Sequence, residues 1–246
     1  MAAREVEFAQ VNFELPGGRQ LLRDVSLRVG AGETLALLGR SGSGKTTLLR
    51  TVNGLVAPTG GRVLVGGRPV EAQELLALRR GIGYVIQETG LFPHMSIERN
   101  VAMALELAGQ PVERRRERAK EMLRLAGLAE ELSGRYPWQI SGGQRQRAGL
   151  ARALAAEPSV LLLDEPFGAL DPLTRIEMQE MLKALLKRVG TTAILVTHDL
   201  DEALYLADRV VFVDAGMVVA DLTVDEVERS KNPGVRAYIA AARHTR

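Results

Sequence analysis

The sequence predicts an α/β fold: a mainly parallel sheet, an N-terminal antiparallel β portion and an α-helical insertion. Three observations carry this. Short, uniformly apolar runs of strand length, such as TLALL at 34–38 and VLLL at 160–163, alternate with helical stretches, the pattern of strands buried on both faces. The stretch GRSGSGKTT at 39–47 fits G-x-x-x-x-G-K-[ST] and lies between such a run and a helix-forming segment. From 88 to 156 the strand signals stop and helical periodicity takes over.

In order, 6–13 alternates loosely as a strand, Pro16-Gly17-Gly18 marks a turn and 22–29 is a second strand. The turn 30–33 leads into strand 34–38. After the glycine-rich stretch comes a helix at 47–53, stopped by Gly54. RVLV at 62–65 is a strand before Gly66-Gly67, and 82–86 is another, with Gln87 at its end. In the helical stretch Ser96 is the N-cap of a helix over 97–108. The spacing at 112–126 puts Val112, Ala119, Met122, Leu123 and Ala126 near one face, and 145–156 forms a further helix. Strand 160–163, helix 172–188, strand 192–197, helix 200–207 and strand 209–213 follow. The expected organisation is one domain over 1–221, with core 1–87 and 157–221 and a helical subdomain at 88–156. A short helical tail occupies 222–246.

The charges nearly cancel, 32 basic against 30 acidic in 246 residues, which argues against a dedicated nucleic-acid surface. The run ERRRER at 113–118 reads as a solvated helix face, since glutamates interleave the arginines. The absence of cysteine excludes disulfides and zinc–thiolate sites. The charged first ten residues contain no apolar signal region, so no signal peptide is expected. No apolar run approaches the roughly 18 residues of a membrane span, so any work at a membrane is expected to go through a partner.

Gly39, Gly42 and Gly44 let backbone N–H groups of the stretch, with Arg40, Ser41 and Ser43 between them, converge on phosphate oxygens. The helix start adds partial positive charge. Lys45 supplies a full charge to β- and γ-phosphates, the Thr46 hydroxyl can ligate Mg²⁺, and Thr47 continues the helix. Asp164 and Glu165 end the VLLL strand. Asp164 can hold Mg²⁺ directly or through water, and Glu165 can polarise a water for in-line attack; a solvated strand end is the plain alternative. Ser141-Gly142-Gly143-Gln144 is a capping box and, with two glycines baring N–H groups, also a second anion site. Asp171-Pro172 is an N-cap with proline at the first helical position. His198 and Gln87 are lone residues at strand ends.

In this order the pieces resemble the ATP-binding subunit of an ABC transporter, over roughly 6–221. Walker A is 39–46 and the glutamine loop is Gln87. The signature is Ile140-Ser141-Gly142-Gly143-Gln144, with Ile where Leu is usual. Walker B is 160–164 followed by Glu165, the D-loop is Ala169-Leu170-Asp171, and the switch histidine is His198. The resemblance implies a head-to-tail pair of copies sandwiching two ATP molecules, each γ-phosphate between one copy's Walker A and the other's 141–143. It also implies Glu165 as general base, His198 against the γ-phosphate, Gln87 sensing Mg²⁺ and coupling to a membrane permease, and Asp171 joining the two sites. The family's usual adenine-stacking aromatic is replaced by Leu15, with Phe13 on the same face of a regular strand. YVIQ at 84–87, GLFPH at 90–94, RYP at 135–137, DEPFGALDP at 164–172 and THDLDEA at 197–203 resemble importers of quaternary amines and related osmoprotectants. Importers of other small polar solutes share much of this pattern, and a non-transport ABC ATPase is the remaining alternative. Many osmoprotectant subunits carry C-terminal regulatory domains; this chain stops at Arg246, so a built-in ionic-strength sensor is not expected. The implied partners are the permease, indirectly an extracytoplasmic solute-binding protein, and a second copy, at the cytoplasmic face of the membrane.

Overall fold

The computed structural model describes residues 2–87, 89–168 and 170–244. The chain divides into two compact units. The terminal unit comprises Ala3–Leu78 and Thr192–Arg246; the central unit comprises Met1–Ala2 and Arg79–Thr191. These limits differ from the sequence divisions at 87/88 and 156/157.

The terminal unit contains an antiparallel sheet of β1 (Val6–Glu14), β2 (Gln20–Val29), β4 (Gly60–Val65) and β5 (Arg68–Pro69), ordered β2-β1-β4-β5. In β2, Leu22, Val25, Leu27 and Val29 are buried and alternate with exposed residues, as a one-sided sheet requires. The β1–β2 pairing is irregular, with register shifts at Phe8/Val11, Val11/Phe13 and Phe13/Glu14 and left-handed backbone at Gln10 and Asp24. Those bulges explain the loose alternation in the sequence. They also correct one expectation: β1 ends at Glu14, so Leu15 does not share a regular strand face with Phe13.

The unit's other strands place β3 (Thr34–Leu38) between β8 (Thr192–Thr197) and β9 (Arg209–Asp214), parallel to both. Every residue of β3 and β8 is buried, which is why these strands read as continuous apolar runs. A tight turn with left-handed Ala215 and Gly216 reverses the chain into β10 (Met217–Thr223), antiparallel to β9. This strand is a correction, because the helical tail was expected from 222. The tail consists of α8 (Val224–Val227) and α9 (Pro233–His244). Val227, Val235 and Ile239 pack with Ala36, Leu38, Ala203, Val210 and Phe212. The remaining helices here are α1 (Lys45–Val52) and α7 (Leu200–Leu206), while α2 (Leu75–Arg80) runs across the 78/79 division.

In the central unit β6 (Ile82–Val85) pairs in parallel with β7 (Val160–Asp164), beside α3 (Ile97–Leu107), α4 (Val112–Leu125), α5 (Gly142–Ala155) and α6 (Pro172–Val189). Ser96 caps α3 as expected, its Oγ accepting from Arg99 N at 3.3 Å. Fully buried Asn100 ties down the preceding loop: Oδ1 accepts from Phe92 N at 2.7 Å, and Nδ2 donates to the carbonyls of Phe92, Met95 and Ser96. On α4, Ala119, Met122 and Leu123 are buried, followed by Ala126, but Val112 is 43% exposed. It is the helix's first residue, and side chains lean toward the N-terminus, so it projects past the packed face. Three of the four arginines of 113–118 are matched by nearby carboxylates: Arg115 to Glu106 at 3.0 Å, Arg116 to Glu98 at 3.6 Å, and Arg118 to Glu121 and Glu157 at 2.8 and 3.2 Å. Among the described residues no helix is long and apolar enough to cross a membrane.

Candidate functional site

The glycine-rich stretch leaves β3 through buried Gly39, where a Cβ would run into the carbonyl oxygen of Val213. Gly42 and Gly44 have φ of 77° and 101°, the left-handed region that glycine enters at no steric cost. At Gly44 a Cβ would also come within 2.7 Å of Leu21 O. Gly44 is the N-cap of α1 and, being glycine, brings no side chain to cap that helix. Helix α1 begins at Lys45, two residues before the sequence-expected start. Lys45 is buried, and its Nζ donates to Gly39 O at 2.7 Å and to Arg40 O at 2.9 Å, which holds the ammonium against the loop. Ser43 Oγ is buried without a hydrogen-bond partner among the described residues. Such an orphan costs about 1–3 kcal/mol, a sign that the loop is built for a ligand oxygen. Arg40, Ser41 and Gly42 form an exposed rim, and Thr46 and Thr47 are half-buried on the first turn of α1. A cation, the N–H groups of a helix start and an unused hydroxyl form a donor set suited to phosphate.

A cavity of about 470 Å³ beside this loop is walled by Gly39, Arg40, Ser41, His198, Asp214 and Tyr238, among others. His198 is exposed, one residue beyond β8. Its flanks are fixed. Thr197 Oγ1 donates to Glu202 Oε2 at 2.6 Å and accepts from Asp199 N at 3.0 Å. Asp199 caps α7 through Oδ1, which accepts from Asp201 N and Glu202 N. The terminal unit thus brings the glycine loop and His198 to one cavity. A second cavity reaches Gly42 and is walled by Glu14, Arg19 and Arg23 among others. Leu15 is not in its wall. That residue is half-buried at the base of the β1–β2 turn, with its N–H donating to Arg19 O and its carbonyl accepting from Gly18 N.

The central unit places the other candidates at two spots. At the carboxyl ends of β6 and β7 lie Gln87, Asp164 and Glu165. Asp164 is buried, and Tyr84 Oη donates to its Oδ2 at 3.2 Å. Glu165 has φ 46°, an uncommon state for a non-glycine residue that costs about 1–3 kcal/mol and persists only where the surroundings impose it. Here Gly168 N donates to Glu165 O at 3.3 Å, and the buried amide of Gln146 on α5 donates to Pro166 O. Gln87 is exposed, two residues past β6. After it, the chain passes through left-handed Thr89 and Gly90, whose carbonyls accept from Arg152 Nη2 and Nη1 at 2.7 and 2.6 Å. Burial of this α5 guanidinium lowers its pKa. Replacing Arg152 by Met removes two charge-assisted bonds, and we expect a loss of roughly 2–4 kcal/mol in stability. Amide exchange should then quicken at 86–92 ahead of the rest of the unit. A uniform rise in exchange would mean that Arg152 does not act on this loop.

The second spot joins the starts of α5 and α6. The capping box forms: Ser141 Oγ accepts from Gln144 N at 3.2 Å, and Gln144 Oε1 accepts from Ser141 N at 2.9 Å. Ser141 and Gly142 are exposed, and a Cβ on Gly143 would lie 2.6 Å from Thr174 Cγ2. Asp171 caps α6, its Oδ1 accepting from Thr174 N at 3.0 Å. Hydrogen bonds from Thr174, side chain before backbone, hold the Asp171 carboxyl below its usual pKa. The cap therefore stabilises fully above the ordinary carboxylate range and weakens as pH falls through the depressed value. Ala169 lies outside the described residues.

Sequence reasoning singled out neither Tyr84 nor Arg152 as functional. A polar-tipped aromatic in a strand just before Gln87, and an arginine in the buried stretch of α5, are the signals that could have found them.

A glycine loop between a buried parallel strand and a helix, with its lysine turned into the loop, defines a phosphate-binding α/β core. Residues 22–168 match the family model for ABC transporters, and the chain belongs to that family. It is 44% identical over 239 residues to the glycine betaine/carnitine/choline transport ATP-binding protein OpuCA of Bacillus subtilis, covering 97% of this chain and 63% of that protein. It is 45% identical over 219 residues to the sulfate/thiosulfate import ATP-binding protein CysA of a Synechocystis species, covering 89% of this chain and 61% of that protein. The chain thus spans about three fifths of the length of these relatives. The dimeric structure of the ATP-binding cassette MJ0796, in a post-hydrolysis state bound to ADP and Pi, matches with a TM-score of 0.82 at 34% identity, covering 89% of this chain and 98% of that one.

Proposed function

We propose that this chain is the ATP-hydrolysing motor subunit of an ABC importer. The observation that carries the reading is the glycine loop, with buried Lys45 held against its carbonyls and the buried Ser43 hydroxyl without a partner among the described residues. ATP is the substrate, with its β- and γ-phosphates on the N–H groups of 39–47 and on Lys45. Thr46, Asp164 and Gln87 would hold Mg²⁺, a set with one carboxylate that fits an ion completing its shell with phosphate oxygens and water. That ion supplies charge neutralisation on the phosphates. Glu165 takes a proton from the attacking water as its oxygen bonds to the γ-phosphorus and the bond to the ADP oxygen breaks. His198 contacts the γ-phosphate and orients that water. Ser141, Gly142, Gly143 and Gln144 of a second copy cover the γ-phosphate from the other side, Asp171 links the two sites, and Leu15 packs on the base without π-stacking.

The proposed domain carries its helical subdomain at 88–156, which with Gln87 meets a membrane permease at the cytoplasmic face. An extracytoplasmic solute-binding protein acts indirectly. The local ion pairing of Arg115, Arg116 and Arg118 supports leaving nucleic acid out of the partners. The proposed solute is a quaternary amine such as glycine betaine or choline, in line with the solutes for which OpuCA is named. The similar identity to CysA favours a second reading, a small oxyanion. The test is co-purification with the native permease and solute-binding protein, reconstitution in vesicles and measurement of solute-stimulated ATP hydrolysis. Stimulation by glycine betaine or choline is expected. Stimulation by sulfate alone would move the solute class and keep the motor, whereas isolation without any membrane partner would overturn the importer reading.

A further inference from the structure

We infer that Tyr238 on the C-terminal helix α9 is a positioning residue for His198. Its hydroxyl donates to the His198 backbone carbonyl at 2.6 Å. His198 lies between β8 and α7, outside both elements, so the direction of its peptide is set by groups that reach it from elsewhere. Thr197 and Asp199 hold the flanks, and Tyr238 holds the residue itself. The tyrosine is a firm support. Its ring meets the buried Phe212 of β9 edge-on, with centroids 5.8 Å apart at 77°. One residue on, Ile239 is buried, as is Val235 a turn earlier, and both belong to the core that contains Leu38 from the strand feeding the glycine loop. Tyr238 and His198 also wall the same cavity as Gly39, Arg40 and Ser41. A hydroxyl bonded to that carbonyl restrains the backbone of His198 and with it the direction of the Cα–Cβ bond, which narrows the region the imidazole can reach.

This inference rests on the proposed role of His198 in ATP hydrolysis, and the experiment separates the two. Tyr238→Phe keeps the ring and removes only the hydroxyl. In the complex with its permease we expect kcat to fall about 3–10-fold, the worth of one net hydrogen bond, with KM for ATP changed by less than about twofold. The chain has three histidines, His94, His198 and His244, so the imidazole signal lost in His198→Ala identifies that of His198 in NMR spectra of the nucleotide-free protein. In Tyr238→Phe the His198 signal should move while that of His94 stays. In a His198→Ala background the second substitution should have no further effect on kcat. If His198→Ala leaves turnover intact, the role of His198 itself is wrong. If His198→Ala lowers turnover but Tyr238→Phe changes neither kcat nor the His198 signal, only the positioning role is lost. An equal loss of kcat in both backgrounds would likewise overturn it. Ile239→Val, which loosens α9 without touching the hydroxyl, controls for stability; a matching fall in kcat from that variant would reduce Tyr238 to packing.

Discussion

Glu165→Gln is expected to lower ATP turnover about 10²–10⁴-fold while leaving nucleotide affinity close to wild type, the loss usual for a removed general base. The substitution preserves size and hydrogen-bonding reach, so the turn held by Gly168 and by Gln146 through Pro166 remains. What it removes is an oxygen able to take a proton. The left-handed backbone at Glu165 makes the test sharper. A glutamine there bears the same strain as the glutamate, so a change in rate reports on chemistry and not on relief of the turn. Single-turnover hydrolysis together with a nucleotide-binding titration separates the two effects. Hydrolysis at the wild-type rate would remove Glu165 from the mechanism.

Lys45→Ala is expected to weaken ATP binding about 10²–10⁴-fold, the loss of two charge-assisted contacts to phosphate at roughly 1.5–3 kcal/mol each. The side chain is buried in the loop, bonded to Gly39 O and Arg40 O, so water cannot readily replace a truncated lysine. The loop backbone is separately imposed by the glycines at 39, 42 and 44, and the overall fold should survive. Titration with a fluorescent ATP analogue measures the change. A loss below about threefold would mean that the loop N–H groups alone carry the phosphate and that Lys45 is structural.

Much of this architecture is written locally. Strands β3 and β7 are readable because both faces are covered, which leaves unbroken apolar runs. The caps at Ser96, Ser141 and Asp171 involve neighbours three residues apart, a range at which the pattern itself is the structure. Strand β10 failed to stand out because it is half-buried and carries Ala220 and Asp221; its pairing with β9 through the Ala215–Gly216 turn makes it a strand. The early start of α1 came from left-handed Gly44, which begins the helix without a capping side chain. Tyr84 and Arg152 were illegible for a different reason. Their partners lie 80 and 62–63 residues away, and no periodicity spans that distance.

The reciprocal bonds between Ser141 and Gln144 also bear on how two copies would come together. Side chains that must freeze on association each cost about 0.5–1.5 kcal/mol of rotamer freedom. Here the serine and the glutamine are immobilised when the chain folds, so that ordering is not charged to the encounter. A partner's phosphate would meet a surface whose shape is settled in the monomer. Assembly should then be governed by diffusion and by the nucleotide's own charge, with rates that fall as salt rises and that depend little on slow rearrangement of this face.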